Sequence, residues 1–587
     1  MANYRKRLLG VTTVAAMTAV LAACGGGSDS DGSSPSSDNT SSGDASGAAQ
    51  QGGTLNYYMD KPLEHLDPQR VYVGRDISNL SRTVYRSLVT FPMSEDATEG
   101  NTPVADLATD TGTSTEGGKV WQFTLRDGIK WEDGSDITCE DFRYGASRVY
   151  AADVITGGPN YITTYLDLPT DADGNPDYPG PYTATEAQQT AFDNAITCDG
   201  KTITYHFSKP WPDFPLAIAA LHMMDPYKQS FDTGDGNNLK ILSSGPYKLD
   251  GEWTKETGGT LVRNDQYDAS TDETNSRAAL PDEIVFKIGQ PVETIYDQLI
   301  SDSDQTAITG NRVPPADYSQ LQGAVLDRYY TIESPYVDYL VPNFKSPRMA
   351  DVKVRQALAA ATNINAWITA GGGEKAYKPA ESIVNPAVVG YQDNPAFSGS
   401  NDGDVDAAKQ LLAEAGVTTP YKIKFTYPQS ETADKQAAAL KQTWDEAGFE
   451  VTLDPLGDTY YDVIMKPNED SDIYWAGWGA DWPSAITVTA PLFDSRPNLS
   501  KGSNGNDYGA YESDAANAAF DKAYNATTLD EQTAALQDAD TILGEDVAYI
   551  PLEIAVFNFL YGSKVAGFTT TPSSNGFPDL GAIGVNQ

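Results

Sequence analysis

Three tryptophans and one aspartate lie within eight residues of one another: Trp475, Trp478, Asp481 and Trp482. Aromatic faces give rigid contact area and attract cations, and a single carboxylate among them can hold one positive charge. This combination predicts a binding site for a cationic group on a small ligand. No residue of the stretch indicates that the ligand is then chemically changed.

The elements before this stretch predict a parallel sheet that would position it. Residues 421–427 alternate as a strand, 432–447 have helical periodicity and 449–453 alternate again. Short links between them predict a right-handed βαβ crossover. Ligands bind beyond the carboxyl ends of such strands. Asp481 follows the apolar run 473–478, and its placement therefore suits a ligand contact.

The first residues predict a compartment. Residues 5–7 are basic, and the apolar segment 8–20 is too short to cross a bilayer. Residues 21–25, LAACG, resemble the lipobox of bacterial lipoproteins. The resemblance implies a signal peptide at 1–23, cleaved before Cys24, whose sulfur then bears a lipid. The alternative is an ordinary secretory signal with a chance cysteine.

The mature chain is therefore expected outside the cytoplasmic membrane, tethered but not spanning. Acyl chains such as palmitate on Cys24 would give stable anchoring, since more than one chain is attached. Residues 24–52 contain mostly Gly, Ser, Asp, Thr and Ala, which predicts a flexible tether. An actinobacterial type of Gram-positive source fits this tether and the acidic composition.

Cysteine usage predicts one disulfide. The chain has three cysteines, and Cys24 is assigned to the anchor. In an oxidising compartment the remaining two, Cys139 and Cys198, are expected to pair. Two unrelated buried thiols are the alternative.

Length and charge limit the classes of function. At 587 residues the chain is expected to form two or three domains. Its net charge of −42 excludes nucleic acid as a partner, because phosphate binding needs clustered Lys and Arg. Such acidity is typical of a soluble surface, although it would also steer cationic ligands.

A second informative segment is residues 120–150, VWQFTLRDGIKWEDGSDITCEDFRYGASRVY. Alternation at 121–125 predicts a strand, and Asp127-Gly128 predicts a tight hairpin turn into 129–131. Thr138 and Asp141 have the spacing of a capping box, which predicts a helix after them.

This segment is similar to the signature of the extracytoplasmic solute-binding proteins of the dipeptide, oligopeptide and nickel importers (family 5). Other segments resemble that family in the same order along the chain: LDP at 66–68, GPYKL at 245–249, VRNDQY at 262–267, DVKVRQAL at 351–358, 404–416, and GWGAD at 477–481.

The resemblance implies an α/β, periplasmic-binding-protein-like fold (type II, cluster C), with two hinged lobes and an extra domain in the N-terminal half. The implied domains are domain I (53–89, 235–335 and 555–587), domain II (90–234) and domain III (336–554). It also implies a monomeric receptor that closes on peptides, in particular oligopeptides, and delivers them to the permease and ATPase subunits of an ABC importer, without cofactor or bound metal.

Family members implicate specific residues. The resemblance assigns Asp481 to the α-ammonium group of the peptide and the backbone of Gly477, Trp478 and Gly479 to its main chain. It also suggests ligand contacts by Trp482, Gly74 and Tyr161. The alternatives are structural roles: a turn or helix-cap role for Asp481, and core positions for Trp478 and Trp482. No Arg or His lies within 472–493 to meet a ligand carboxylate.

Other functions are less consistent with the sequence. Three scattered histidines and the lack of HExxH, GxSxG, phosphate-binding glycine and CxxC motifs disfavour a secreted peptidase. Residues 171–177 have the acid spacing of a calcium loop, but Gly174 is misplaced and Tyr182 stands where a glutamate belongs. A metal chelate or an oligosaccharide is the alternative ligand, although few histidines are available to coordinate a metal directly.

Overall fold

The computed structural model describes residues 50–171, 174–272, 276–457, 459–468, 470–499 and 502–586. The predicted signal peptide, the predicted lipidation site Cys24, nearly all of the tether and positions 172–173 of the acidic loop lie outside these ranges. Within these ranges, no helix has both the length and the apolar character needed to cross a bilayer. The same ranges contain no group of three or more His, Cys, Asp or Glu residues placed to hold a metal ion.

The strands are numbered in chain order. They are β1 Thr54–Met59, β2 Val89–Thr90, β3 Val104–Ala105, β4 Thr113–Thr115, β5 Val120–Thr124, β6 Ile196–Asp199, β7 Thr202–His206, β8 Tyr247–Thr254, β9 Gly258–Arg263, β10 Glu283–Ile288, β11 Ala307–Thr309, β12 Tyr329–Pro342, β13 Tyr377–Pro379, β14 Tyr421–Pro428, β15 Phe449–Leu456, β16 Ile473–Gly479, β17 Ile550–Leu560, β18 Val565–Ala566 and β19 Gly584–Val585.

The α-helices are numbered in the same way. They are α1 Gly74–Thr83, α2 Ala97–Gly100, α3 Cys139–Arg148, α4 Ile162–Tyr165, α5 Glu186–Ala195, α6 Phe214–Ala220, α7 Val292–Ile300, α8 Val352–Ala361, α9 Ile364–Gly371, α10 Val405–Glu414, α11 Glu431–Glu446, α12 Tyr460–Ile464, α13 Ile486–Phe493, α14 Ser495–Asn498, α15 Asp514–Tyr524 and α16 Leu529–Glu545.

Three larger sheets organise these elements. One has the strand order β11-β1-β10-β9-β8, one β4-β5-β7-β6, and the largest β13-β17-β12-β16-β14-β15. In the largest sheet β14 is parallel to β15 and β16, as the strand–helix–strand pattern predicts, but β12 is antiparallel to both β16 and β17. The parallel pairing predicted for the strand–helix–strand unit is therefore confirmed, and the sheet as a whole is mixed because β16 also lies beside a strand from far earlier in the chain.

Local sequence explains several helix ends. Thr138 and Asp141 form the predicted capping box at the start of α3, with the Thr138 N–H donating to Asp141 Oδ2 at 2.8 Å. The Asp404 carboxylate accepts from the backbone N–H of Ala407 at 2.8 Å and starts α10. Each contact satisfies backbone donors that a helix leaves open at its N-terminus.

The predicted hairpin at Asp127-Gly128 is wrong. Strand β5 pairs with β4 and β7, whereas Lys130 pairs across the next turn with Asp136. The chain has two Asp-Gly turns close together, at 127–128 and 133–134. Only the second connects residues that pair with each other, because β5 pairs with β4 and β7 instead. Nearby, Cys139 and Cys198 form a disulfide with a Cα–Cα distance of 5.8 Å.

Helix α11 shows how the core holds the largest sheet. Ala437, Leu440 and Trp444 are fully buried, which is the face expected from a 3.6-residue period. The Trp444 ring meets the Phe425 ring of β14 at 5.5 Å, edge to face, and its indole N–H donates to Thr362 Oγ1 at 3.2 Å. This packing fixes β14, and with it the neighbouring strand β16 that ends at the candidate site.

Candidate ligand-binding site

The turn after β16 is fixed by helix α13. The indole N–H of Trp478 donates to the backbone oxygen of Thr487 at 2.9 Å, and the backbone N–H of Asp481 donates to Thr487 Oγ1 at 3.1 Å. Both contacts join the end of the strand to the first turn of the helix. Asp481 is therefore held at a defined place beyond the carboxyl end of β16.

The Asp481 carboxylate faces two tyrosines that are distant in sequence. The Tyr161 hydroxyl donates to Asp481 Oδ2, and the Tyr72 hydroxyl also faces the carboxylate. Burial raises the pKa of Asp481, while the two hydroxyls lower it. No Lys, Arg or His in the described part of the chain is paired with it. The result is a desolvated acid that lacks a positive partner.

Trp482 lies in the core behind this acid. Its ring is 2% exposed and meets the Tyr161 ring edge to face at 4.8 Å. Its indole N–H donates to Asp213, a buried acid whose pKa is raised by desolvation. Trp482 therefore occupies a core position, which was one of its two alternatives. Its buried indole packs against the Tyr161 ring and does not present a face to a ligand. Trp478 is half-buried.

Among the described residues, one edge of β16 has no strand partner near Asp481. Strand β14 pairs only with Ile473 and Tyr474, while β12 pairs with β16 as far as Gly479. At Trp475 the Tyr460 hydroxyl takes the place of a strand, since it accepts from the backbone N–H at 3.1 Å and donates to the backbone oxygen at 2.6 Å.

Strand alternation extends this observation to the two glycines. Since the peptide groups of Trp475 point away from β12, those of Gly477 and Gly479 point the same way, toward the edge that β14 leaves uncovered. The backbone positions named by the sequence therefore present donors and acceptors along an open strand edge that leads to Asp481.

Glycine at these two positions has a steric reason. A Cβ on Gly477 would lie 2.3 Å from Oδ1 of Asp338, and one on Gly479 would lie 2.5 Å from the ring of Tyr336. Both side chains belong to β12 and lean across the glycines toward the open edge. Any larger residue at position 477 or 479 would displace them.

Gly74 lies at the start of α1, on the far side of Tyr336. A Cβ on Gly74 would come within 3.0 Å of the Tyr336 hydroxyl. The residues just before it, Tyr72 and Val73, are 40% and 48% exposed, so their side chains are accessible at the surface. The structure thus brings Gly74, Tyr161, Asp481 and the β16 edge together, as expected for one site.

Sequence reasoning missed three residues that face this site: Tyr72, Tyr336 and Asp338. Tyr336 and Asp338 are two residues apart, which on a strand places them on one face. That spacing was the available signal, but their importance depends on which strand lies beside them. Tyr72 is separated from Asp481 by most of the chain, and no local pattern indicates their contact.

Comparison with known proteins bears on the family of this chain. The sequence model of the family described as "Bacterial extracellular solute-binding proteins, family 5 Middle" matches residues 102–500. The periplasmic oligopeptide-binding protein OppA of Escherichia coli is 25% identical over 86% of this chain and 88% of its own length. The periplasmic murein peptide-binding protein MppA of Escherichia coli is 25% identical over 74% of this chain and 76% of its own.

Solved structures share the fold. The chain is similar to clavulanic acid biosynthesis oligopeptide binding protein 2, with a TM-score of 0.81, 25% identity, and coverage of 92% of this chain and 96% of that one. The match of the family model covers well over half of the sequence. The chain therefore belongs to the bacterial extracellular solute-binding proteins of family 5.

Proposed function

We propose that this protein captures peptides with a free N-terminus outside the cytoplasm and hands them to an ABC importer. The observation that supports this most is Asp481, a desolvated carboxylate that no cation of the described residues pairs with, at the end of an open strand edge. Peptide binding by the oligopeptide-binding relatives supports the same ligand class.

The α-ammonium group of the peptide fits the needs of Asp481. An ammonium has three N–H donors, so it can bond to the carboxylate and to neighbouring acceptors together. A desolvated carboxylate gains much from such a partner, since its charge is otherwise uncompensated. The Tyr72 and Tyr161 hydroxyls lower the pKa of Asp481 and so keep it ready to receive the cation.

The rest of the peptide would pair with the β16 edge. An extended main chain that leaves Asp481 and runs past Gly479 and Gly477 adds one antiparallel strand to the sheet. Main-chain hydrogen bonds give affinity without reading side chains, which suits oligopeptides of varied sequence. Lobe closure then follows from tighter contacts in the closed state, because a ligand shifts the equilibrium toward the state it binds better.

The wider assignments belong to the same proposal. Tyr72, Tyr161 and Asp481 fall in the proposed domains I (53–89, 235–335 and 555–587), II (90–234) and III (336–554), so one ligand group would touch all three. The receptor would be a monomer, anchored by lipid on Cys24, and would release its peptide to permease and ATPase subunits. The bound peptide would leave chemically unchanged.

Calorimetry with matched peptides tests the anchor. Asp481→Ala should weaken binding of a free-amine tetrapeptide mixture by about 100-fold, since a buried ion pair loses roughly 3 kcal/mol when one partner is removed. N-acetylated peptides should bind weakly to both proteins and show little difference. Asp462→Ala, which removes an exposed acid of α12, is the control. Equal affinity of the wild type for free and acetylated peptides would refute recognition of the N-terminus, and a lack of binding by either would favour a different solute.

A further inference from the structure

We infer that Asp338 forms a side-chain subsite that selects Lys or Arg at the third residue of the bound peptide. This inference rests on the proposed function and adds a ligand preference to it. Its basis is the position of the Asp338 carboxylate, which lies across Gly477 beside the open edge of β16.

Strand geometry places the third residue there. Asp338 and Gly477 are directly opposite in the ladder between β12 and β16, so their side-chain positions share one face. A peptide strand on the other side of β16 has its residues on that face at every second position. With the first residue beside Gly479, next to Asp481, the third lies beside Gly477.

Because Gly477 has no Cβ, its own side chain does not separate the Asp338 carboxylate from the side chain of the peptide's third residue. A Cβ there would lie 2.3 Å from Oδ1 of Asp338, so the carboxylate occupies the space above the glycine. Neighbouring strands are about 4.8 Å apart, and the carboxylate is thus about one strand spacing from the peptide's third side chain. A Lys or Arg side chain spans that distance easily.

The surroundings of Asp338 suit a cation. Asp338 is only half-buried, so the subsite can be entered from outside. The indole of Trp475 is half-buried and lies beside the Asp338 carboxylate. Tyr461 is 46% exposed, and the charge of Asp338 contributes to raising the pKa of its hydroxyl. Aromatic rings flanking a carboxylate attract the ammonium and accommodate the methylene groups of a basic side chain.

A second acid lies behind the first. Glu553 is opposite Asp338 on β17 and is 1% exposed, and neither of its carboxyl oxygens has a hydrogen-bond partner among the described residues. Trp367 and Gln436 lie beside it without such a bond. Burial, and then the charge of Asp338, raise the pKa of Glu553 to about 9. Glu553 is therefore neutral at pH 7, and of the two acids only Asp338, whose pKa burial raises to about 7, can carry a negative charge there.

One basic side chain opposes the ligand cation. The guanidinium of Arg312 is exposed, lies 5.2 Å from the centre of the Phe557 ring, and lowers the pKa of both Asp338 and Glu553. Burial nevertheless dominates at Asp338 and raises its pKa to about 7. Arg312 thus weakens the preference for a basic residue without abolishing it, and removing its charge should strengthen that preference.

A panel of free-amine tetrapeptides tests the subsite by calorimetry at about pH 7.5. Ala-Ala-Lys-Ala should bind about tenfold more tightly than the same peptide with norleucine, which keeps the methylenes but lacks the charge. Asp338→Asn should remove this ratio and leave the norleucine peptide unaffected, which also shows that the variant is folded. Arg312→Gln should raise the ratio by about threefold.

The outcomes separate the two proposals. If no free-amine peptide binds, the proposed function and the subsite both fail. If peptides bind but the ratio is near one, or persists in Asp338→Asn, the subsite alone is overturned. A preference for glutamate at the third residue would mean that Arg312 dominates, and a preference for Lys at the second residue would mean that the side chains lie on the opposite face; each result overturns the inference.

Discussion

Replacing Glu553 by Gln should stabilise the protein at neutral pH, and by an amount that depends on pH. Burial raises the pKa of Glu553 from 4.5 to about 9, helped by the charge of Asp338 and opposed by Trp367, Gln436 and Arg312. The unfolded chain loses this proton near 4.5, whereas the folded chain keeps it until about 9. The stability associated with the proton is therefore complete at low pH and is lost as the pH rises through that window.

The size of this stability difference follows from the separation between the folded and unfolded pKa values of Glu553. Each pH unit between the two pKa values costs the wild type about 1.4 kcal/mol of folding free energy. The difference in free energy of unfolding between Glu553→Gln and the wild type should therefore shift by about 2–3 kcal/mol in favour of the variant between pH 5 and pH 7. The amide of glutamine has no proton to exchange in this range and fills almost the same volume.

Urea denaturation followed by tryptophan fluorescence, at intervals from about pH 5 to pH 8, measures this difference. Glu256→Gln is the control, because its exposed side chain is surrounded by water and should change stability little at any pH. A stability difference between Glu553→Gln and the wild type that stays constant across the range would refute the reasoning. It would mean that the folded protein ionises Glu553 as readily as the unfolded chain does.

Three further results are expected. Serine at both Cys139 and Cys198 should lower the free energy of unfolding in urea by about 3–4 kcal/mol, because their disulfide closes a loop with a sequence separation of 59. Trp482→Phe should cost about 1–3 kcal/mol in scanning calorimetry, since buried Asp213 loses its indole donor. Affinity for free-amine peptides should fall as the pH is lowered, because protonation of Asp481, whose pKa burial raises, removes the charge that attracts the ammonium.

Each of these predictions has a contradicting result. An unchanged urea midpoint for the serine variant, under conditions where the wild type is oxidised, would contradict the loop-closure argument. A Trp482→Phe variant that melts with the wild type would mean that Asp213 finds another donor. Affinity that does not change with pH for free-amine peptides, or that falls equally for Asp481→Asn, would mean that Asp481 is not the titrating group.

Sequence alone predicted the part of the fold in which neighbours in the chain are neighbours in space. The strand at 421–427, the helix at 432–447 and the strand at 449–453 correspond to β14, α11 and β15, and the two strands are parallel. Their short connections leave little choice of arrangement. The partner of β16 on its other side, β12, comes from more than a hundred residues earlier, and local periodicity contains no information on that pairing.

The candidate site divides in the same way. Asp481, Gly477 and Gly479 stood out because aromatic, acidic and glycine residues are concentrated in one short stretch. Tyr72 and Asp338 did not, because each acts through a contact made only in the folded chain. Asp338 in particular reaches the open edge across Gly477, which requires the observed register between β12 and β16.

A crystal structure of the protein with a free-amine tetrapeptide containing Lys at its third residue tests the central claim most directly. The account predicts that the α-ammonium group lies within hydrogen-bonding distance of Asp481 and that the peptide main chain pairs with Gly477 and Gly479 as an antiparallel strand. A peptide bound elsewhere, or bound in the cleft with its N-terminus away from Asp481, would contradict it.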